Sequence, residues 1–390
     1  MGIYNADANS IKSELLTLRE KLVRAKTTAE KESCLSSINF LNMIYYSICS
    51  DEKDYFYSVV KNNKNKFLVS DQYMKKLNKS YTNNFIKNKN NLNNLSLHAV
   101  NIYSKELDKY KVPSLLEETI FSEDDAYFII HSFFEKNYPE YVNYIDMLIK
   151  NKRLLRIDNF EDDKYEGLCL NTYKSDPFIV SKSPKYTIET ITTLIHELGH
   201  AVDFNCINKR FSHNKSEKYL FLSSYVEVNS RLFEKQALEF FINCDINKDI
   251  SLYLLNEYHY TNYCFLLQLY IFTLLPDKIL QNDNYSLLSE DELKLIIPFE
   301  KYNIDIDACL SEEKIILRDS FTYGISGLLA TIIDSNIKEN SKHGKVLYND
   351  FMANRTEPYS KDVFNELGLD GKDLAKCLKK EINYFNKNNC

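Results

Sequence analysis

Apolar residues recur at helical spacing along most of this 390-residue chain. Leu15, Leu16, Leu18, Leu22 and Val23 mark one such segment, and Ile38, Leu41, Ile44 and Ile48 mark a second, so residues 8–50 are expected to hold two helices. Residues 51–95 are more polar and end in NNFIKNKNNLNNLS. That Lys/Asn run reads as a linker or exposed loop, and the softest boundary of the chain falls there. A solvated connection inside one domain fits it nearly as well. Residues 122–150 predict paired helices broken near Pro139, with His131 on an apolar face as a core histidine. The period changes over 166–182, where LCLNTY and PFIVS flank a turn-like KSDP, which predicts a small hairpin. From 251 to 390 the helical pattern returns, and the aromatic-rich stretch 251–275 reads as core. No internal repeat is present.

Between the hairpin and the later helices lies TLIHELGHAVDF. Ile188, Ile191, Ile195, Leu198 and Val202 follow helical spacing, and Ser183 with Pro184 suits an N-cap and first turn. On that helix His196 and His200 share a face one turn apart. Two imidazoles so placed can bind one zinc ion, and Glu197 can then reach a metal-bound water whose pKa falls to about 7. A catalytic zinc usually takes a third protein ligand, and the candidates are Asp203, His213 and Glu227. Glu227 lies in FLSSYVEVNSRLFEKQALEFF, which reads as a helix capped by Ser223 or Ser224 and seated by Val226, Leu232, Phe233, Ala237 and Phe240. An acid on a mostly buried helix is costly unless paired or metal-bound, which favours Glu227 over an ordinary exposed glutamate. Glu234, two turns on, is either a partner that orients a ligand or a surface carboxylate.

Composition narrows the class. Glycine (8) and proline (7) are both scarce, which argues for long helices and against a turn-rich all-β fold. The net charge is −6 with basic residues scattered, so no nucleic-acid footprint is expected. Nine cysteines without a CxxC pair point to reduced thiols in a cytoplasm. No signal-type apolar core and no membrane-length apolar run are present, so a soluble cytoplasmic protein is expected.

Several ordered segments resemble the thimet oligopeptidase and oligoendopeptidase F family of zinc metallopeptidases, the oligoendopeptidase F branch more closely. RIDNFEDDKYEGLCL resembles that family's stretch before the site, PFIVS its following strand, TLIHELGHA its metal helix and YVEVNSRLFE the segment with its third ligand. GISGLLATII and YNDFMANRTEPYSKDVFNELGLD resemble its closing helices, so coverage runs from about residue 95 to 385. The resemblance implies a mainly α, two-lobed helical zinc-peptidase fold with a deep channel and a small β-hairpin beside the metal helix. It divides the chain into a shortened N-terminal helical region, 1–95, and a catalytic domain, 96–390. It makes His196, His200 and Glu227 the ligands of one Zn2+ and Glu197 the general base, with short unfolded peptides as substrates.

One departure stands out. The family places tyrosines before the glycine that Gly324 matches, one of them an oxyanion donor, whereas this chain reads ILRDSFTYGISG. Phe321 stands where a tyrosine is expected, which leaves Tyr323, or else His259 or His343, as the candidate donor. Loss of one oxyanion donor costs roughly 100-fold to 1000-fold in rate. Asp203 also stands where the family often has a further histidine. The expected activity is a zinc-dependent oligoendopeptidase. The alternatives are a dedicated processing peptidase for a small precursor and a non-catalytic peptide-binding homologue.

Overall fold

A computed structural model of the chain describes residues 8–27, 34, 37–38, 71–106, 119–151, 153–156, 167–170, 177–181, 183, 185–210, 225–281, 317–354 and 375–381. In chain order these form α1 (Ala8–Arg24), α2 (Asp71–Glu106), α3 (Glu123–Asn137), α4 (Val142–Lys150), β1 (Leu154–Arg156), β2 (Gly167–Leu170), β3 (Phe178–Ser181), α5 (Ile188–Arg210), α6 (Val228–Asn243), α7 (Lys248–Leu274), α8 (Asp277–Gln281), α9 (Leu317–Glu339) and α10 (Ser341–Asn354). A last helical stretch covers 375–381. The fold is mainly α, as the scarcity of glycine and proline predicts. Most of the second N-terminal helix, expected over 38–48, lies outside the described residues, as do Pro184, His213, Ser223 and Ser224. The chain forms two compact units, Met1–Lys76 with Ile120–Asn208, and Leu77–Thr119 with Lys209–Cys390.

In the first unit, Ser122 caps α3 by accepting the Asp125 N–H at 3.1 Å, and three acids fill the first turn, where the helix dipole favours them. Pro139 opens a 3-10 turn, Pro139–Tyr141, that leads into α4, so the pair of helices breaks where the sequence indicates. His131 departs from its expected core position. Ala126, Ile129, Ile130, Phe133 and Phe134 take the buried face of α3, and His131 is half exposed, with Nε2 3.6 Å from Asp146 Oδ2. The expected hairpin forms: β2 pairs antiparallel with β3, Gly167 opposite Ser181 and Leu170 opposite Phe178. A short strand that the sequence does not signal, β1, joins β3 in parallel, with Leu154 opposite Ile179. Three residues are too few for an alternating pattern to register. The order is β1-β3-β2, so β2 is an edge strand among the described residues.

In the second unit, α2 runs unbroken through the Lys/Asn stretch read from the sequence as a linker. Asparagine is a weak helix former, but no proline or glycine interrupts the run, and Phe85, Leu92, Ser96, Ala99 and Tyr103 bury one face of it. Asn93 Nδ2 also bonds Thr273 Oγ1 at 2.7 Å, and Lys89 Nζ bonds Asp277 Oδ1 at 2.7 Å. Tertiary packing therefore decides the local conformation. Helices α6, α7, α9 and α10 carry much of this unit's core, including Leu232, Phe233, Leu266, Leu267, Ile325, Leu328 and Phe351. Gly327 lets α9 approach α7 closely, because a Cβ there would lie 2.2 Å from Asn262 Oδ1.

The same unit buries a cluster of charge. Lys235 of α6 is 0% exposed, and its ammonium donates to Glu239 Oε1 at 2.7 Å, to Glu381 Oε2 at 2.6 Å and to Asp334 Oδ2. Lys338 Nζ joins the same carboxylates at 2.6, 2.9 and 2.8 Å. Burial alone disfavours charge on Lys235, but the three carboxylates outweigh it and hold its pKa well above the ordinary value. The converging carboxylates have the form of a cation site. Two ammonium groups already serve as its cations, so the cluster is a salt-bridge core joining α6, α9 and the 375–381 stretch.

Candidate active site

The HELGH helix begins at Ile188, not at Pro184. Thr187 caps it by accepting the Thr190 N–H at 3.2 Å. Ser183 instead closes a local turn on Lys185, accepting its N–H at 3.3 Å and donating to its carbonyl at 3.0 Å. The predicted stripe of Ile188, Ile191, Ile195, Leu198 and Val202 is fully buried, and Leu194, Ala201, Phe204 and Ile207 widen it, so α5 is held on several sides. His196 and His200 stand one turn apart with ring centroids 5.2 Å apart, and Phe204 stacks on His200 at 6.0 Å. Glu197 is 6% exposed.

Glycine at 167 has a direct role beside Glu197. A Cβ on Gly167 would fall 2.7 Å from Thr193 Cγ2 and 2.9 Å from both Cγ and Oε1 of Glu197. The edge strand β2 thus lies against the Glu197 side chain only because this residue has no side chain. Gly167→Ala is expected to force β2 and the Glu197 side chain apart and to cost about 1–3 kcal/mol of stability. Denaturant unfolding checks this; unaltered stability contradicts it.

Glu227 lies at the N-cap of α6, just outside the helix body in which the sequence seats it, with φ −91° and ψ −3°. It is 9% exposed. The Ser230 hydroxyl lies 3.0 Å from its Oε2 and 3.0 Å from its carbonyl oxygen. Glu234, expected as a ligand-orienting partner or a surface acid, instead takes both its oxygens to Arg231 Nη1, at 3.0 and 2.9 Å. Arg231 also donates to Asn262 Oδ1 at 2.7 Å and to the Tyr258 carbonyl at 3.3 Å, and lies over the Tyr258 ring at 4.0 Å. Burial opposes its charge most strongly, yet Glu234, Tyr258, Glu227 and Tyr323 together outweigh it and raise its pKa. His196 and His200 of the first unit and Glu227 of the second each offer one donor atom to a metal. Two imidazoles and one carboxylate are a donor set that catalytic zinc accepts, so the residues present fit that ion.

Of the remaining candidates, Asp203 is fully buried in α5. Phe321 is a core residue, edge-on to Phe85 with centroids 5.5 Å apart, which accounts for a phenyl ring in that place. Tyr323 is half-buried and stacks on Phe265 at 4.9 Å, and both it and Glu227 fall within electrostatic reach of Arg231. His343 is exposed at the start of α10. His259 is buried against Tyr103 and Tyr258. Burial, and after it the positive charge of Lys235, holds its pKa well below the ordinary value. A depressed histidine stays neutral in the folded chain, so its stability contribution is complete above the unfolded pKa of about 6.5 and is lost as pH falls below it. His259→Phe is expected to reduce the acid sensitivity of unfolding by about 1.4 kcal/mol per pH unit between pH 6 and 5. Denaturant titrations at both pH values test this; parallel losses in parent and variant contradict it.

Comparison with solved structures defines the class of fold. The chain shares its fold with a protein described as an oligoendopeptidase F from Bacillus anthracis str. Ames, with a TM-score of 0.52, 12% identity, and coverage of 98% of this chain and 97% of that one. It shares it also with PZ peptidase A, solved with an inhibitor, with a TM-score of 0.51, 10% identity, and coverage of 99% of each chain. A peptidase structure from Chlamydophila abortus gives a TM-score of 0.47 and 13% identity over 96% of this chain, which spans only 63% of that protein's length. No protein-family model and no curated protein sequence matches the chain. No helix among the described residues is long and apolar enough to cross a membrane.

Proposed function

We propose that the protein is a zinc-dependent oligoendopeptidase of the oligoendopeptidase F type, acting on internal bonds of short unfolded peptides. The observation that carries the reading is the pair His196 and His200 one turn apart on α5, with Glu197 between them packed against Gly167 of the hairpin, in a fold shared with peptidases. His196, His200 and Glu227 would hold the ion, which when bound supplies a Lewis acid that polarises a carbonyl and acidifies water. Glu197 accepts the proton of the attacking water and returns it to the leaving amine. Glu197 is buried beside Gly167, and that close fit holds its carboxylate in place. The outer edge of β2, unpaired among the described residues, would offer main-chain hydrogen bonds to an extended peptide and, through Gly167, bring it next to Glu197. Tyr323 is the residue we assign to bond the developing oxyanion. Nine cysteines without a CxxC pair suit a reducing, cytoplasmic setting.

The substitution of phenylalanine at 321 keeps a second reading in view, a dedicated processing peptidase with a narrowed substrate range. Digestion of a quenched peptide library by the zinc-loaded chain separates the two. Cleavage of many sequences supports general oligopeptide turnover, and cleavage of one or two supports processing. Tight peptide binding without hydrolysis at full zinc occupancy rejects both in favour of a binding protein.

A further inference from the structure

We infer that Ser230 is a positioning residue for the metal-binding carboxylate of Glu227, an inference that rests on the zinc-site reading above. Three observations lead to it. Glu227 occupies the N-cap of α6, where an acidic side chain ordinarily turns back to accept a backbone N–H of the first turn. Its carboxylate makes no such capping bond. Ser230, on that first turn and 0% exposed, instead places Oγ 3.0 Å from Glu227 Oε2.

The second observation concerns the single hydroxyl proton. Oγ is equally close, 3.0 Å, to the Glu227 carbonyl oxygen. That carbonyl already accepts the Arg231 N–H at 2.9 Å. A hydrogen bond to a carboxylate is charge-assisted and about twice as strong as one to a neutral carbonyl, so the proton goes to Oε2. The hydroxyl thereby sets the rotation of the carboxylate about its last torsion and selects which face it turns to a cation.

The third observation is how Arg231 is kept from competing. This guanidinium, four residues after Glu227, would be the natural ion-pair partner of a buried acid. Its Nη1 is turned to Glu234 and its Nη2 to Asn262 and the Tyr258 carbonyl. The Ser230 hydroxyl is a neutral donor to Glu227, so the bond orients the carboxylate without itself cancelling its charge. Partners of this kind typically account for 10-fold to 100-fold of metal affinity.

The test is zinc binding by the full-length chain, measured by competition with a chromophoric chelator, for the parent, Ser230→Ala, Ser230→Thr, Ser230→Val and Glu227→Gln. Thermal unfolding of each metal-free protein is recorded alongside. Threonine and valine differ by a hydroxyl against a methyl, so they separate the hydrogen bond from packing even if alanine proves unstable. We expect zinc affinity about 10-fold to 100-fold weaker in Ser230→Ala and Ser230→Val, and within about 3-fold of the parent in Ser230→Thr, at similar metal-free stability. Equal zinc affinity of the threonine and valine variants overturns the role of Ser230 while leaving the site intact. A parent that binds no zinc, or a Glu227→Gln variant that binds it as tightly as the parent, overturns the site itself and this inference with it.

Discussion

Replacing Glu197 by glutamine is expected to leave one zinc ion bound per chain and to lower peptide hydrolysis by at least about 100-fold to 10,000-fold. Glutamine matches glutamate in size, so the close fit of this buried side chain against Gly167 persists. What it removes is the capacity to take a proton. The two imidazoles of His196 and His200 and the carboxylate of Glu227 are untouched, so metal content reports an intact site while turnover reports the missing base. Turnover equal to that of the parent would show that Glu197 is not the base.

The second large effect lies away from the candidate site, in the buried charge cluster. Lys235→Met removes one of two cations from a group of three carboxylates, Glu239, Asp334 and Glu381, and is expected to cost about 3–5 kcal/mol. In a unit of this size that corresponds to a fall in melting temperature of about 6–20 °C. The reason is the charge left behind rather than the bond lost. Burial disfavours every carboxylate, and Lys235 is the largest influence opposing it at Asp334, whose pKa it holds below the ordinary range. Burial raises the pKa of Glu239 even with both lysines present, so this acid protonates most readily. Adding Glu239→Gln to Lys235→Met is therefore expected to recover part of the loss. The penalty of the single variant also shrinks as pH falls and the stranded carboxylates take up protons. A melting temperature within about 2 °C of the parent would contradict this account.

Much of this was legible in the sequence, for particular reasons. The break at Pro139 and the β2–β3 hairpin follow from local chemistry, because proline and alternating apolar runs act on their own neighbours. HELGH announces itself by spacing alone. The helical state of NNFIKNKNNLNNLS was not legible, since Phe85 on Phe321 and Asn93 on Thr273 are contacts between residues distant in sequence. The same limit applies at the site. Glu234 and Ser230 both follow Glu227 at short spacing, and only the position of the Arg231 guanidinium shows that Glu234 is committed elsewhere and that Ser230 holds the carboxylate. Gly167 was visible as part of a hairpin, but its contact with Glu197 depends on how strand and helix pack. The burial of Lys235 depends on three carboxylate partners, one of them 146 positions away, which no local pattern signals.

The most direct test of the zinc-peptidase reading is hydrolysis of a quenched peptide library by the full-length chain before chelation, after chelation and after return of one equivalent of zinc. The account predicts turnover that chelation abolishes and zinc restores, with none gained by Glu197→Gln under the same treatment. Hydrolysis that continues unchanged in the metal-free chain would contradict it.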